Sequence, residues 1–293
     1  MSDYELPDAF YRFFDDAAVF PPGLAPLEVA VKDYVVRRDS VLGVAIGPLV
    51  LPLQDMPKAE EILVGWGFKG ASIEVSVVVP PGQLEAALTA AHAPGPLTIV
   101  SVELKTGPLQ EDWKKELFGA ATLAGECDVY VELTASQIGQ DALELIVKAG
   151  ARLKYRTGGI TADLFPTAEQ LAFVIGAAVE LAVPFKLTAG LHRAVRYTDQ
   201  ETGFTHHGFL NIAMATALAY EAEPTASLIA VLREQRPAVL AEMYNAHSSR
   251  WRQGFSSFGT CSVTEPLKTL EELDILPAGA SAISLSLLKA IQS

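Results

Sequence analysis

Basic residues are few in this chain. Its 293 residues hold 22 Lys and Arg against 35 Asp and Glu, a formal charge of −13. Such a surface repels phosphate backbones, so neither nucleic acid nor an anionic membrane is expected as a partner. Any anion site must then be a local concentration of Lys and Arg. Cysteine is scarcer still. The two cysteines, Cys127 and Cys261, have no paired spacing, which argues against a disulfide framework and for a reducing compartment. The opening Met1-Ser-Asp-Tyr-Glu has no basic segment and no apolar core, so no signal peptide is expected. The longest apolar run, Val41 to Leu53, contains Gly and Pro and is too short to span a bilayer. The cytoplasm is the expected compartment. There is no internal repeat, linker or low-complexity segment. No Gly-x-Gly-x-x-Gly follows the first predicted strand, which argues against a dinucleotide-binding domain.

What is present is apolar and periodic. Half the residues are hydrophobic, ample for a sizeable core in two small domains or one large α/β barrel. Strands are predicted from Asp15 to Pro22, Val44 to Leu51, Ala71 to Val77, Leu97 to Lys105 and Asp128 to Leu133. Between and after them, helices are predicted from Pro26 to Arg38, Pro57 to Trp66, Leu84 to His92, Gln110 to Ala124 and Gly139 to Ala149. The sixth and seventh strands are the most telling stretch, Ala151-Arg-Leu-Lys-Tyr-Arg-Thr-Gly-Gly159 and Pro184-Phe-Lys-Leu-Thr-Ala-Gly-Leu-His192. Phe165-Pro-Thr-Ala-Glu-Gln170 opens the helix that joins them. A long segment follows, with a loop from Thr198 to Gly203 and helices from His207 to Glu221 and from Thr225 to Asn245. An eighth strand is predicted at Phe255 to Ser262, then helices from Leu267 to Leu273 and from Ile283 to Ile291. This alternation predicts a (β/α)8 TIM barrel as one domain over residues 1–293, with an extended helical segment between strands seven and eight. An open doubly wound sheet is the alternative.

Alternate residues of a strand share a face. Helices cover the outside of a barrel, so the apolar set should face them and the polar set the lumen. On that parity Glu74, Glu103, Lys105, Glu132, Lys154, Arg156 and Lys186 converge near the C-terminal end, where such barrels keep their sites. Arg152 lies deepest and reads as part of a structural layer. Unpaired buried charge is costly, so two lysines at neighbouring strand ends call for a function. With Arg156 and Lys186 close by, the amine of Lys154 is expected to lose protonation and become nucleophilic. The same cluster suits a phosphate or carboxylate, with Thr157, Gly158 and Gly159 adding backbone donors.

These residues resemble a known pattern. Leu153-Lys-Tyr-Arg-Thr-Gly-Gly159 is similar to the Lys-Thr-Ser-Thr-Gly strand six of the deoxyribose-phosphate aldolase family, class I aldolase barrels. Phe185-Lys-Leu-Thr-Ala-Gly190 resembles its strand seven, Phe258-Gly-Thr-Cys-Ser262 its phosphate-holding strand-eight turn, and Val131-Glu-Leu-Thr134 the end of its strand five. The resemblance implies Lys154 as the Schiff-base former and Lys186 as the lysine that perturbs it and shuttles protons. Arg156 stands where the family has a small residue, and Glu103 is the candidate for its strand-four aspartate.

The catalytic set expected is thus Lys154 and Lys186, with Glu103, Glu132 or His192 moving protons. The substrate-binding set expected is Arg156, Thr157, Gly158, Thr188, Gly190, His206, His207, Gly259, Thr260 and Ser262. The activity expected is a lysine-dependent carbon–carbon lyase acting on a small anionic carbonyl compound, with no cofactor; a homo-oligomer is compatible with this. Two alternatives stand beside it. One is a metal-dependent hydrolase or isomerase using His192, His206, His207 and a glutamate, although no His-x-His or His-Glu-x-x-His spacing is present. The other is a non-catalytic barrel that holds an anion at Lys154, Arg156 and Lys186. The segment from Thr198 to His207 is expected to lie over the barrel mouth. His92 and His247 read as surface residues. Asp15 and Asp16 read as a solvated pair, with one of them reaching the site as the alternative.

Overall fold

The computed structural model describes residues 6–91, 95–106, 110–121 and 127–281. Eight parallel strands close into a barrel. In chain order they are β1 (Phe14–Asp16), β2 (Ile46–Pro52), β3 (Ile73–Val79), β4 (Leu97–Lys105), β5 (Asp128–Leu133), β6 (Arg152–Arg156) and β7 (Phe185–Thr188). A hairpin of β8 (Tyr197–Thr198) and β9 (Thr205–His206) follows, and β10 (Phe255–Thr260) closes the barrel between β7 and β1. The chain is therefore a (β/α)8 TIM barrel, and the open sheet is excluded. The helix expected from Ile283 to Ile291 and the surface position expected for His92 lie outside the described residues.

Strand parity follows the sequence. In β3, Ile73, Val75, Val77 and Val79 are buried in the core beneath the helices, and Leu153 and Tyr155 of β6 join them. Val78, on the other parity, packs with Ala17 and Val50 in a small separate cluster beside Phe20. The helix Ala168–Glu180 begins where the sequence signals it. Thr167 and Gln170 form a capping box, and Leu171, Val174 and Ile175 are buried. The stretch Ala162–Glu180 is long and apolar enough, by composition, to cross a membrane. In the barrel its apolar side covers strands. The helix expected from Gly139 to Ala149 starts earlier, at a Thr134–Gln137 capping box, and passes through a π turn at Ile138–Ala142.

The long segment between β7 and β10 has a packing reason. Helix Phe209–Tyr220 is apolar almost all round, as a helix buried on several sides must be. Phe209 meets Phe14 and Phe258 at ring separations of 5.8 and 5.3 Å, and Phe13 meets Trp251 and Phe255 at 5.3 and 5.0 Å. These rings fill the seam where β10 meets β1. Asn211 is buried in the same helix and fully engaged. It accepts from the Arg196 amide and donates to the carbonyls of Val231 and Glu234, each at 2.8 Å.

The turns after β6 and β7 touch backbone to backbone. A Cβ on Gly158 would lie 2.6 Å from the Gly190 Cα, and Gly190 itself has φ +76°. Gly158→Ala should therefore destabilise the barrel by about 1–3 kcal/mol. Gly65, within helix Met56–Trp66, has nothing within 4 Å of such a Cβ, and Gly65→Ala should stabilise by about 0.5–1 kcal/mol. Urea unfolding midpoints of the two variants, moving in opposite directions, check the packing of the two turns.

Candidate functional site

The register of β6 on β7 sets Lys154 level with Lys186. Both side chains point into the lumen and are buried. Between them stands Glu103 from β4. Its Oε2 lies 2.7 Å from the Lys154 ammonium, and its Oε1 accepts from Lys186. Each lysine has a second carboxylate. Glu132 Oε2 lies 2.9 Å from Lys154, and Asp15 Oδ2 lies 2.7 Å from Lys186. Hydroxyls complete the layer. Ser101 donates to Ser76 at 2.6 Å, Ser76 to Glu103 Oε1 at 2.6 Å, and Ser257 to Asp15 Oδ2 at 2.9 Å. The Lys186 ammonium also lies 5.1 Å from the centre of the Tyr130 ring, within cation–π reach.

This arrangement corrects the expected electrostatics. The sequence reading set the two lysines against each other and predicted a lowered pKa for Lys154. Burial does pull both lysines down, but Glu103 and Glu132 on Lys154, and Asp15 and Glu103 on Lys186, outweigh it and hold both above the ordinary lysine value. Burial pushes Glu103 up, yet the two ammoniums hold it far below the usual carboxylate range. Glu132 is likewise lowered, by Lys154 and Arg156 against its burial. Asp15 goes the other way. Burial raises it despite Lys186, and its Oδ1 has no hydrogen-bond partner among the described residues.

The depth of the layer differs from expectation as well. Lys186 lines a cavity of about 240 Å³ together with Arg12, Asp128, Arg152 and Arg252, residues at or just before the starts of their strands. The charged layer thus sits mid-lumen and opens toward the N-terminal end. Glu74 belongs to that lower end, paired with Arg12, and Lys105 is exposed. Arg152, expected deepest, stands instead at the partly exposed N-terminal mouth of the lumen, 2.6 Å from Asp128. Asp15 and Asp16, expected in solvent, are both buried, Asp16 against Arg37.

The C-terminal rim carries the remaining expected residues. Arg156 donates through Nε and Nη2 to Glu132 Oε1 at 3.2 and 3.1 Å, and through Nη1 to the Gly158 carbonyl at 3.4 Å. Thr157 donates to the Ala189 carbonyl at 2.7 Å, so its hydroxyl and the Gly158–Gly190 contact serve turn packing first. Thr188 Oγ1 faces Gly259, 3.8 Å from where its Cβ would lie. Thr260 donates to the Ser262 carbonyl at 3.0 Å, and the Ser262 hydroxyl lies 3.1 Å from that of Thr264. Both hydroxyls are thus engaged within their own turn. The described contacts of the His192 ring are Cys261 at 3.8 Å, Glu265 at 3.6 Å and the His206 ring at 5.8 Å. The lysines are not among them.

The two adjacent histidines part company. His206 Nδ1 donates to the Gly190 carbonyl at 2.9 Å, and its ring stacks on Tyr197. These contacts anchor the β8–β9 hairpin on the turn after β7. His207 is fully buried and structural. Its Nε2 donates to the Pro166 carbonyl at 2.8 Å, which leaves Nδ1 to accept from Arg196 at 3.1 Å. Burial, chiefly, draws its pKa down to about 4. Among the described residues no three His, Cys, Asp or Glu side chains group as a metal site.

The sequence reading left Asp15 only as an alternative and missed Ser76, Ser101, Tyr130 and Ser257 as members of the layer. Ser76, Ser101 and Tyr130 share the strand parity of Glu74, Glu103 and Glu132, but nothing in the sequence said which of them would meet a charge. The barrel architecture itself is common among enzymes. No protein-family model matches the chain, and no curated protein is found as a sequence relative.

Two outcomes follow from this geometry. Glu103→Gln leaves two buried ammoniums facing each other and should cost about 3–5 kcal/mol in denaturant unfolding. His207 gives a pH dependence of definite sign. An unfolded imidazole takes up a proton below about pH 6.5, whereas folded His207 resists until about pH 4, so stability is full above the first value and falls between them. The displacement corresponds to roughly 3 kcal/mol. His207→Gln keeps a donor and an acceptor and should remove this part of the slope in unfolding measured across that range.

Proposed function

We propose that this barrel is a lysine-dependent carbon–carbon lyase of the class I type, acting on a small anionic carbonyl compound, with Lys154 forming the imine. The observation that carries the reading is the sharing of one buried carboxylate, Glu103, by two buried lysines on adjacent strands. A charged layer of this kind is costly in a lumen that apolar side chains could fill. The local resemblance of β6, β7 and β10 to deoxyribose-phosphate aldolases supports the same chemistry, with Glu103 in the place of the strand-four aspartate.

The resting ammonium of Lys154 must lose a proton before it can attack. Arg156 supplies a trigger. Its side chain is 35% exposed and holds Glu132 Oε1, so an incoming phosphate or carboxylate can draw it away. Glu132 then loses a neighbouring cation, its basicity rises, and it takes the proton from Lys154. The neutral amine adds to the substrate carbonyl carbon, the carbonyl oxygen is protonated, and loss of water gives the iminium. When the substrate's hydroxyl gives its proton to a carboxylate, the carbon–carbon bond breaks and its electrons pass into the iminium as an enamine. The Ser101–Ser76–Glu103 chain gives protons a route from the lysines to the N-terminal cavity.

Borohydride trapping tests the reading. Pyruvate and glycolaldehyde phosphate serve as carbonyl probes, and peptide mass spectrometry should find the reduced adduct on Lys154. Lys154→Ala should abolish it. Arg156→Ala should leave the adduct chemistry possible but weaken anion binding by about 1.5–3 kcal/mol. An adduct that survives Lys154→Ala, or calorimetric binding of the probes with no adduct at any lysine, would turn the reading toward a silent anion-binding barrel.

A further inference from the structure

The N-terminal end of a barrel is ordinarily packed for stability, but here it holds a cavity with a charge left over. The cavity has room for roughly eight waters at about 30 Å³ each. Arg12, Arg152, Arg252 and Lys186 line it, together with the carboxylates of Asp15 and Asp128 and the hydroxyls of Tyr130 and Ser256. Nearly every lumenal cation has its carboxylate. Arg12 pairs with Glu74, Arg152 with Asp128, Lys186 with Asp15 and Glu103, Lys154 with Glu103 and Glu132, and Arg156 with Glu132.

Arg252 is the exception among the described residues. It donates through Nη1 to the carbonyls of Phe255, at 2.9 Å, and Ser256, and through Nη2 to Tyr11, at 3.0 Å. Its guanidinium carbon lies 4.8 Å from the Phe13 ring centre. These contacts fix the guanidinium in place without neutralising it, and burial draws its pKa down to about 10. A guanidinium has five N–H donors. Three go to carbonyls, and the other two have no protein partner among the described residues.

We propose that this cavity binds a small oxyanion, carboxylate- or phosphate-like, held by Arg252 and Arg152. An anion there supplies the charge that Arg252 lacks. The site is separate from the rim at Arg156 and does not rest on the lyase reading. Its selectivity follows from volume and charge: a one- to four-carbon carboxylate or inorganic phosphate fits, and a nucleotide does not.

The test uses the full chain with inorganic phosphate and acetate as probes, in calorimetry and in thermal melting. Saturable binding with a rise in melting temperature is expected. Arg252→Gln should weaken it by about tenfold or more, the loss of a charge-assisted pair. Arg152→Leu removes a cation at the cavity edge and should weaken it similarly; it carries the test if Arg252→Gln does not fold. Arg156→Ala should leave phosphate binding at this site unchanged. Absence of saturable binding in the wild type overturns the proposal, as does wild-type affinity in a folded Arg152→Leu or Arg252→Gln. Loss of all phosphate binding in Arg156→Ala with retention in the other two would place the anion at the C-terminal rim and overturn it too.

Discussion

One carboxylate holds the lumen together. Glu103 reaches from β4 across the barrel interior and is ion-paired with Lys154 on β6 and Lys186 on β7. Neighbouring strands run about 4.8 Å apart, so two ammoniums at one level would repel strongly in a medium that screens poorly. Glu103 turns that repulsion into two attractions. Asp15 and Glu132 extend the alternation of sign to β1 and β5. Strands that are not adjacent in the sheet are thereby tied through the interior, where many barrels use only apolar layers.

The alternation separates the two ends of the lumen. Toward the C-terminal end, Glu132 is held by Lys154 from within and by the half-exposed Arg156 from the rim. A change at the rim is therefore felt at Lys154 through a single carboxylate. Toward the N-terminal end, Lys186 and Asp15 face the cavity directly. Asp15 alone among the three carboxylates on the lysines is held above its ordinary range. It is also the one of the three that lines the cavity.

The barrel was legible in the sequence because its strands alternate cleanly. The Ile73-Glu-Val-Ser-Val77 stretch and the Leu153/Tyr155 against Lys154/Arg156 division fix which face meets the helices. The capping box at Thr167 and Gln170 fixes where one helix begins. The lysines, Glu103 and Glu132 were legible as lumenal for the same reason. Their mutual arrangement was not. Parity says which face a side chain takes, but the cross-barrel pairing of Glu103 with Lys186 depends on strand stagger and closure. With Glu103 between the lysines, the sign of the expected pKa change reversed. Asp15 was hidden because β1 is three residues long, too short for alternation to register. His206 and His207 were hidden by adjacency. One ring anchors the hairpin and the other is buried on Pro166, and only the turn into helix Phe209–Tyr220 decides which does which.

The central physical claim is that Glu103 keeps both lumenal lysines protonated in the resting protein. Side-chain NMR of lysines labelled with ¹³C and ¹⁵N, followed from about pH 6 to pH 11, tests it against the ordinary lysine value near 10.4. Lys154 and Lys186, assigned through Lys154→Ala and Lys186→Ala, should keep ammonium shifts above the pH at which the surface lysines titrate. A Lys154 amine that titrates near neutral pH with Glu103 intact would contradict the claim.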